Sequence, residues 1–494
     1  MKNLQSLCCA VLTSITFSYA QPVWAEIVNI TLLQLNDVYE ITPVSGGKQG
    51  GLARIATLRK NLFQQNSRTY TILAGDCLSP SALGTAKIND VPLAGQQMVA
   101  ALNIMGLDYA TFGNHEFDLK KEQFLQRLTE SKFTWFSGNV LDTNGQSFPG
   151  VLPYKILTVK GNEGNLVRMG LIGVTLPSNP VNYVTYRDPI ATVREQVKQL
   201  KDQVDIIVAV THLSLAEDQK IAETIPEIDL ILGGHEHENI QQWRGGDFTP
   251  IFKADANGRT VYIHQLNYDT DKKKLEIDSR LQPVTEAIPE DPQTAKVVQD
   301  WVDKGYQAFR NNGFEPEQVV AITNIPLDGL EVSVRNRGTP LTDLIAEAML
   351  KTVKDGDLAI YNGGAIRIDD VILPGKITQY DIIRIMPFGG KILSVKMKGS
   401  LLEKVLNQGR NNQGTGGYLQ TAKVDYNEQN KTWLISGKPL DKNGTYQVAI
   451  NDFLLSGKEQ NLGFLNRQNP ELQVIAEGQD IRFAVIEQMK QQFK

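Results

Sequence analysis

LDYATFGNHEFD, residues 107–118, passes from β-branched and aromatic residues through a glycine into Asn114, His115 and Asp118. A short apolar run closed by a glycine-bearing polar cluster reads as a buried strand that delivers functional groups at its tip. The first half of the chain repeats this event. NITLLQLND (29–37) ends at Asp37, with Tyr39 two residues on, and YTILAGDC (70–77) delivers Asp76. VDIIVAVTHLS (204–214) delivers His212, and IDLILGGHEHE (228–238) delivers His235 and His237. Helical patterns, GLARIATLRKNLFQQ (51–65) and ATVREQVKQLKDQ (191–203), fall between them. Strands alternating with helices predict a layered α/β domain whose ligands gather at the strand ends.

From about Asp247 the pattern becomes hairpin-like, with ADANGRTVYIHQLNYDTDKKKLEI (254–277) carrying an Asn-Gly turn. DPQTAKVVQDWVDKGYQAFRNNG (291–313) then reads as one helix bridging to a second α/β unit. There, helical LTDLIAEAMLKTV (341–353) and GSLLEKVLNQG (399–409) mix with strand-like DLAIYNGG (357–364), KTWLISG (431–437) and TYQVAIND (445–452). At 494 residues the chain is too long for one ordinary core. The expected organisation is a leader at 1–25, a first domain at 26–290, a linker helix at 291–313 and a second domain at 314–494. The leader begins with Lys2, continues apolar and closes on small residues up to Ala25, the pattern of a secretory signal cleaved before Glu26. That implies export to the periplasm or the exterior. Cys8 and Cys9 would leave with it, so the mature chain would keep Cys77 alone, without an internal disulfide. Cys77 itself reads as a small buried hydrophobe. A net charge of −5 with no basic tract argues against a nucleic-acid polymer as partner, and no other apolar run is long enough for a membrane span.

The chain has five histidines. Four of them sit at these strand tips beside Asp37, Asp76 and Asn114, while His264 in VYIHQLN reads as structural. Imidazole with carboxylate and amide oxygen is a ligand set for divalent transition metals such as Zn, Mn, Co or Fe. Two aspartates suffice to bridge and charge-balance a pair of metals. Such a pair, about 3.5–4 Å apart, activates a water and steadies both oxygens of an in-line phosphoryl displacement.

In order along the chain, ND (36–37), GD (75–76), GNHEFD (113–118), TH (211–212) and GHEH (234–237) resemble the calcineurin-like metallophosphoesterases. GGLARIATL (50–58), YNGGAIR (361–367), MPFGG (386–390) and VAINDFLLSG (448–457) resemble the exported 5′-nucleotidase branch, so the resemblance covers nearly the whole mature chain. It implies a four-layer α/β/β/α sandwich followed by a smaller α/β substrate-binding domain. It implies two divalent metals bridged by Asp76, one also held by Asp37 and His237, the other by Asn114, His212 and His235. His115 would face the phosphate, oriented by Asp118, which shares one face of a helical turn with it. Where this chain has Tyr39, the family usually has a histidine ligand. Tyr39 is either a metal-bound phenolate, which would bring iron into consideration, or a phenol standing beside a more open metal.

In the second domain the resemblance implies that Phe388 and Phe453 clamp the base, and that Arg335 and Arg367, with Asn362 alongside, contact phosphate. A guanidinium fork suits that role because it pairs with phosphate oxygens in bidentate fashion. The family's "GGDG" segment is here SGKEQNLGF (456–464), which puts Lys458 and Glu459 where an aspartate meets the ribose hydroxyls. Glu459 is the candidate replacement. The reading is a dinuclear-metal phosphohydrolase acting on nucleoside 5′-monophosphates. The same motifs also fit a 2′,3′-cyclic-nucleotide phosphodiesterase/3′-nucleotidase or a nucleoside-diphosphate-sugar hydrolase. A catalytically impaired nucleotide-binding protein is the rival from another class, supported by Tyr39 alone.

Overall fold

Ile206–His212 is buried at all seven positions, which in a sheet means that both faces are covered. In the computed structural model, which describes residues 26–493, this strand lies inside a six-stranded sheet. The strand order there is 240–244, 249–253, 230–233, 206–212, 166–175, 155–160. Leu166–Thr175 and Leu230–Gly233 run parallel to it on either side. Ile206, Val208 and Val210 pack toward a second sheet, whereas Ile207 and Ala209 pack with residues of the helices Pro189–Leu200 and Leu215–Thr224.

The second sheet runs 274–283, 260–269, 27–35, 69–74, 109–111, 134–135. Ile30, Leu32 and Ile72 join the core between the sheets; Leu33, Leu35 and Leu73 face the helices Leu52–Gln65 and Gln96–Met105. The four-layer α/β/β/α sandwich is therefore what these residues form. Parallel pairing of 27–35 with 69–74, and of 69–74 with 109–111, brings their carboxyl ends to one edge. The leader-like segment 1–25 lies outside the described residues.

The Asn-Gly pair does not turn the hairpin. Thr260–Asp269 pairs with Lys274–Pro283 and reverses at 270–273, while Asn257 and Gly258 lie in a 3-10 turn before it. Asn257 adopts φ 59°, and its side-chain carbonyl accepts from the backbone N–H groups of Tyr39 (3.1 Å) and Glu40 (3.2 Å). A backbone preference that suits a tight turn is used here to brace the loop after the first strand.

Asp291 caps the helix Pro292–Asn311 by accepting from Thr294 N–H (2.9 Å), with proline at the first position. This helix lies on Leu52–Gln65 and Gln96–Met105. Beyond it, a five-stranded sheet is ordered 419–422, 358–362, 445–451, 391–398, 472–480. Helices Pro340–Thr352 and Ile481–Gln492 cover one face and Gly399–Asn411 the other. The two units touch through polar contacts: Tyr380 donates to Glu40 (3.3 Å), Arg259 pairs with Asp370 (3.5 Å), and Asp369 meets His237. Among the described residues no helix is long and apolar enough to cross a membrane.

Candidate metal centre

Each site loop turns abruptly out of its strand, and glycine makes room for the turn. A Cβ on Gly113 would lie 2.0 Å from Asp76 Oδ1, and one on Gly234 would lie 2.4 Å from the Ala74 carbonyl. Asp37, Asp76, His235 and His237 sit at φ 53°, 55°, 92° and 61°. Residues with side chains enter that region rarely, and mostly where a site over-determines the backbone.

Glu116 lies inside the GNHEFD motif, yet sequence reasoning gave it no role. Its buried carboxylate accepts from the backbone N–H groups of Asp76 (3.0 Å), Cys77 (2.6 Å), Leu78 (3.2 Å) and Gly113 (2.5 Å). It thereby clasps the two ligand loops together. Cys77 is buried and unbridged. Burial, then Glu116 and Asp76, push its thiol well above the usual range, which leaves it inert. Lys253, also missed, donates to the carbonyls of Leu213 (2.7 Å) and Gly234 (2.8 Å), holding the loops that bear His212 and His235. His264 is buried between Gln34 (3.0 Å) and Ser279 (2.8 Å), a satisfied structural residue.

Asp37, Asp76 and His212 converge so that one ligand atom from each lies within 4.8 Å of the others. Both carboxylates are fully buried, and their ion-pair partners among the described residues are histidines. His212 gives its Nδ1 to the Ala74 carbonyl (2.9 Å) and presents Nε2 at 3.2 Å from Asp76 and 3.9 Å from Asp37. Asn114 Oδ1 and His212 Nε2 are buried without a hydrogen-bond partner. Paired carboxylates beside an imidazole nitrogen, with the buried amide oxygen of Asn114 left without a partner, are the donors that a divalent metal satisfies, so the residues present fit a metal centre. Burial opposes charge on His212, but Asp76 and Asp37 outweigh it and raise its pKa to about 9. The carboxylates demand positive charge at this point. Burial and then His212 drive His235 down to about 3, leaving its ring neutral. The rings of His212 and His235 meet edge-on with centroids 5.4 Å apart.

Tyr39 stands inside this group. Its hydroxyl lies 2.9 Å from His237 Nε2, 3.1 Å from Asp76 Oδ2 and 3.3 Å from Asp37 Oδ1. Burial, then Asp76 and Asp37, push the phenol pKa well above its ordinary value.

His115 and Asp118 occupy one 3-10 turn, where residues three apart eclipse, and Nδ1 meets Oδ2 at 2.9 Å. Ser79 (2.9 Å) and Asn179 (2.7 Å) hold Asp118 in place. Burial lowers the His115 pKa, but Asp118 and Asp76 more than compensate and leave it raised.

Across the domain boundary, Arg335 and Arg367 both pair with Glu331, the latter at 3.6 Å, and Arg367 lies 5.7 Å over the Phe388 ring. Asn362 is buried, accepts from Asn451 (2.9 Å) and hydrogen-bonds Glu459. Burial raises the Glu459 pKa, while Asn362, Arg367 and Arg335 pull it back. Phe388 and Phe453 are 55% and 43% exposed, unusual for phenylalanine. Phe388 and Asp118 border a cavity of about 560 Å³ shared by the two domains.

A four-layer sandwich with aspartates, an asparagine and histidines drawn together at one edge defines a metal-dependent phosphoesterase. The family comparisons agree: residues 30–239 match calcineurin-like phosphoesterases and residues 319–465 match the 5′-nucleotidase C-terminal domain. The chain belongs to the two-domain 5′-nucleotidase family, whose members are metal-dependent phosphoric ester hydrolases. It is 28% identical over 513 residues to a snake venom 5′-nucleotidase of Gloydius brevicauda, covering 90% of this chain and 84% of that one. It is 26% identical over 422 residues to a trifunctional nucleotide phosphoesterase protein of Bacillus subtilis, covering 72% of this chain and 28% of that longer protein. In fold it is similar to a 5′-nucleotidase precursor from Thermus thermophilus. The TM-score is 0.76 at 24% identity, with 94% and 97% of the two chains covered.

Proposed function

We propose that the chain is an exported enzyme that hydrolyses nucleoside 5′-monophosphates to nucleoside and phosphate. One observation carries this reading: Arg367 of the second domain lines the same crevice as Tyr39 of the first. A phosphate group held there would reach both domains. Asp37, Asp76, Asn114, His212, His235 and His237 would hold the two metals, with Tyr39 contacting the one beside Asp37 and His237. When bound, the pair supplies an activated water and neutralises phosphate charge.

The chain's own groups do the rest. Arg335 and Arg367 exchange Glu331 for phosphate oxygens, gaining bidentate contacts. His115, fixed through Nδ1 by Asp118, offers its other nitrogen to the phosphoryl group. The Asp118 carboxylate at Nδ1 raises the basicity of the ring, which suits it to carry a proton to the departing O5′. Phe388 and Phe453 stack on the base, which is sequence-tolerant recognition. Glu459, anchored by Asn362, accepts from ribose hydroxyls.

The Lys458-Glu459 loop and the cavity beside Phe388 favour a second reading, in which the substrate is a nucleoside-diphosphate sugar or a 2′,3′-cyclic nucleotide. The products released from AMP, 3′-AMP, 2′,3′-cyclic AMP and UDP-glucose, after stripping and reloading with Mn or Zn, separate the two: phosphate from the monoesters, a nucleoside monophosphate from the cyclic diester, and UMP with glucose 1-phosphate from UDP-glucose. Release from none of them, with AMP still bound, leaves a nucleotide-binding protein instead.

A further inference from the structure

We propose that Asp369, a second-domain residue, positions the metal-ligating His237 and so makes metal binding and domain closure depend on each other. This rests on the metal-centre reading above. Asp369 Oδ2 lies 2.5 Å from His237 Nδ1, across the domain boundary. Its other oxygen accepts from the backbone N–H of Glu331 (2.8 Å), the first residue of the short helix Glu331–Val334 that leads into Arg335. One carboxylate therefore ties a candidate metal ligand to the turn that carries a phosphate-contacting arginine. Asp369 is 9% exposed and sits at φ 38°, a region uncommon for residues with a side chain but open to aspartate. Its neighbour Asp370 accepts from Ser45 (3.3 Å) and pairs with Arg259 (3.5 Å), both in the first domain.

An imidazole that ligates through Nε2 needs its Nδ1 proton accepted elsewhere, and that acceptor fixes both tautomer and ring orientation. His212 finds its acceptor within its own domain, at the Ala74 carbonyl. His237 finds it in the other domain. Separating the domains would release the ring. By linkage, the factor by which closure tightens the metal is the factor by which the metal favours closure.

The test uses the full chain, stripped of metal and titrated with Co²⁺, following d–d absorption and stoichiometry in the parent, Asp369→Ala, Asp369→Asn and Asp76→Asn. Asp369→Ala is expected to bind one of two Co²⁺ ions about 10–100-fold more weakly, with an altered band, and the other ion normally. Asp369→Asn, whose amide oxygen still accepts from Nδ1–H, is expected to fall between. Small-angle scattering should show the parent expanding when Co²⁺ is removed and Asp369→Ala expanded in both conditions. Parent-like affinity and spectrum in both Asp369 variants overturn the proposal; if the alanine variant does not fold, the asparagine variant decides alone. If Asp76→Asn loses Co²⁺ while the Asp369 variants do not, the coupling fails and the metal centre stands. If Asp76→Asn binds Co²⁺ like the parent, both fail.

Discussion

Tyr39 places one oxygen within hydrogen-bond reach of Asp37, Asp76 and His237 at once. A hydroxyl so placed alters how that end of the centre holds a cation, whichever metal binds. Tyr39→Phe is therefore expected to keep one metal per chain after dialysis against a chelator that leaves two in the parent. Elemental analysis reads the outcome, and equal retention would reduce Tyr39 to packing. Glu331 acts in the opposite direction. It pairs with both Arg335 and Arg367, so a phosphate taking those arginines would have to displace it. Glu331→Gln is expected to lower the inhibition constant of inorganic phosphate about fivefold, the equivalent of an ion pair of about 1 kcal/mol. An unchanged constant would mean that phosphate does not take these arginines from the carboxylate.

At the scale of strands and loops, the glycines before the ligands leave no room for a side chain. Gly113→Ala would drive a methyl against Asp76 Oδ1 and is expected to abolish metal loading while far-ultraviolet circular dichroism stays native. Asp229 opens the strand Leu230–Gly233 by accepting from Ile207 N–H (2.8 Å), and burial raises its pKa to about 6. Folded protein thus binds the proton more tightly than unfolded protein, whose aspartate titrates near about 4. Stability falls as pH rises through that window, and the penalty is complete above about 6. Asp229→Asn keeps the acceptor and should gain on the order of 2 kcal/mol at pH 8 and nothing below pH 4, by denaturant titration at both values. The strands themselves were legible because double burial forces continuous apolar runs, as in Ile206–His212. The convergence of Asp37, Asp76 and His212 was legible because a strand's end fixes where such residues stand. Glu116, Lys253, Asn257 and Asp369 were not, since each acts on backbone or side chains distant in sequence and none interrupts a local pattern. The Asn-Gly pair misled because a positive φ serves a hairpin and a bracing loop equally well.

On the scale of the molecule, the candidate metal centre and the candidate base-stacking rings fall to different domains. The metal-ligand candidates all lie before residue 240, whereas Phe388 and Phe453 belong to the second unit and expose about half of their surface. Exposed rings there are free to take a flat partner. If a nucleobase is that partner, each ring contributes about 1–3 kcal/mol to nucleotide binding. Phe388→Ala and Phe453→Ala are then expected to raise the KM for AMP by about 5–150-fold on that scale. They should leave the turnover of p-nitrophenyl phosphate, which carries no base, within about twofold, because base contacts act on binding rather than on the phosphoryl group. The comparison of the two substrates is what decides. Equal losses on both would make the rings part of the second domain's packing, and losses on neither would place the base elsewhere.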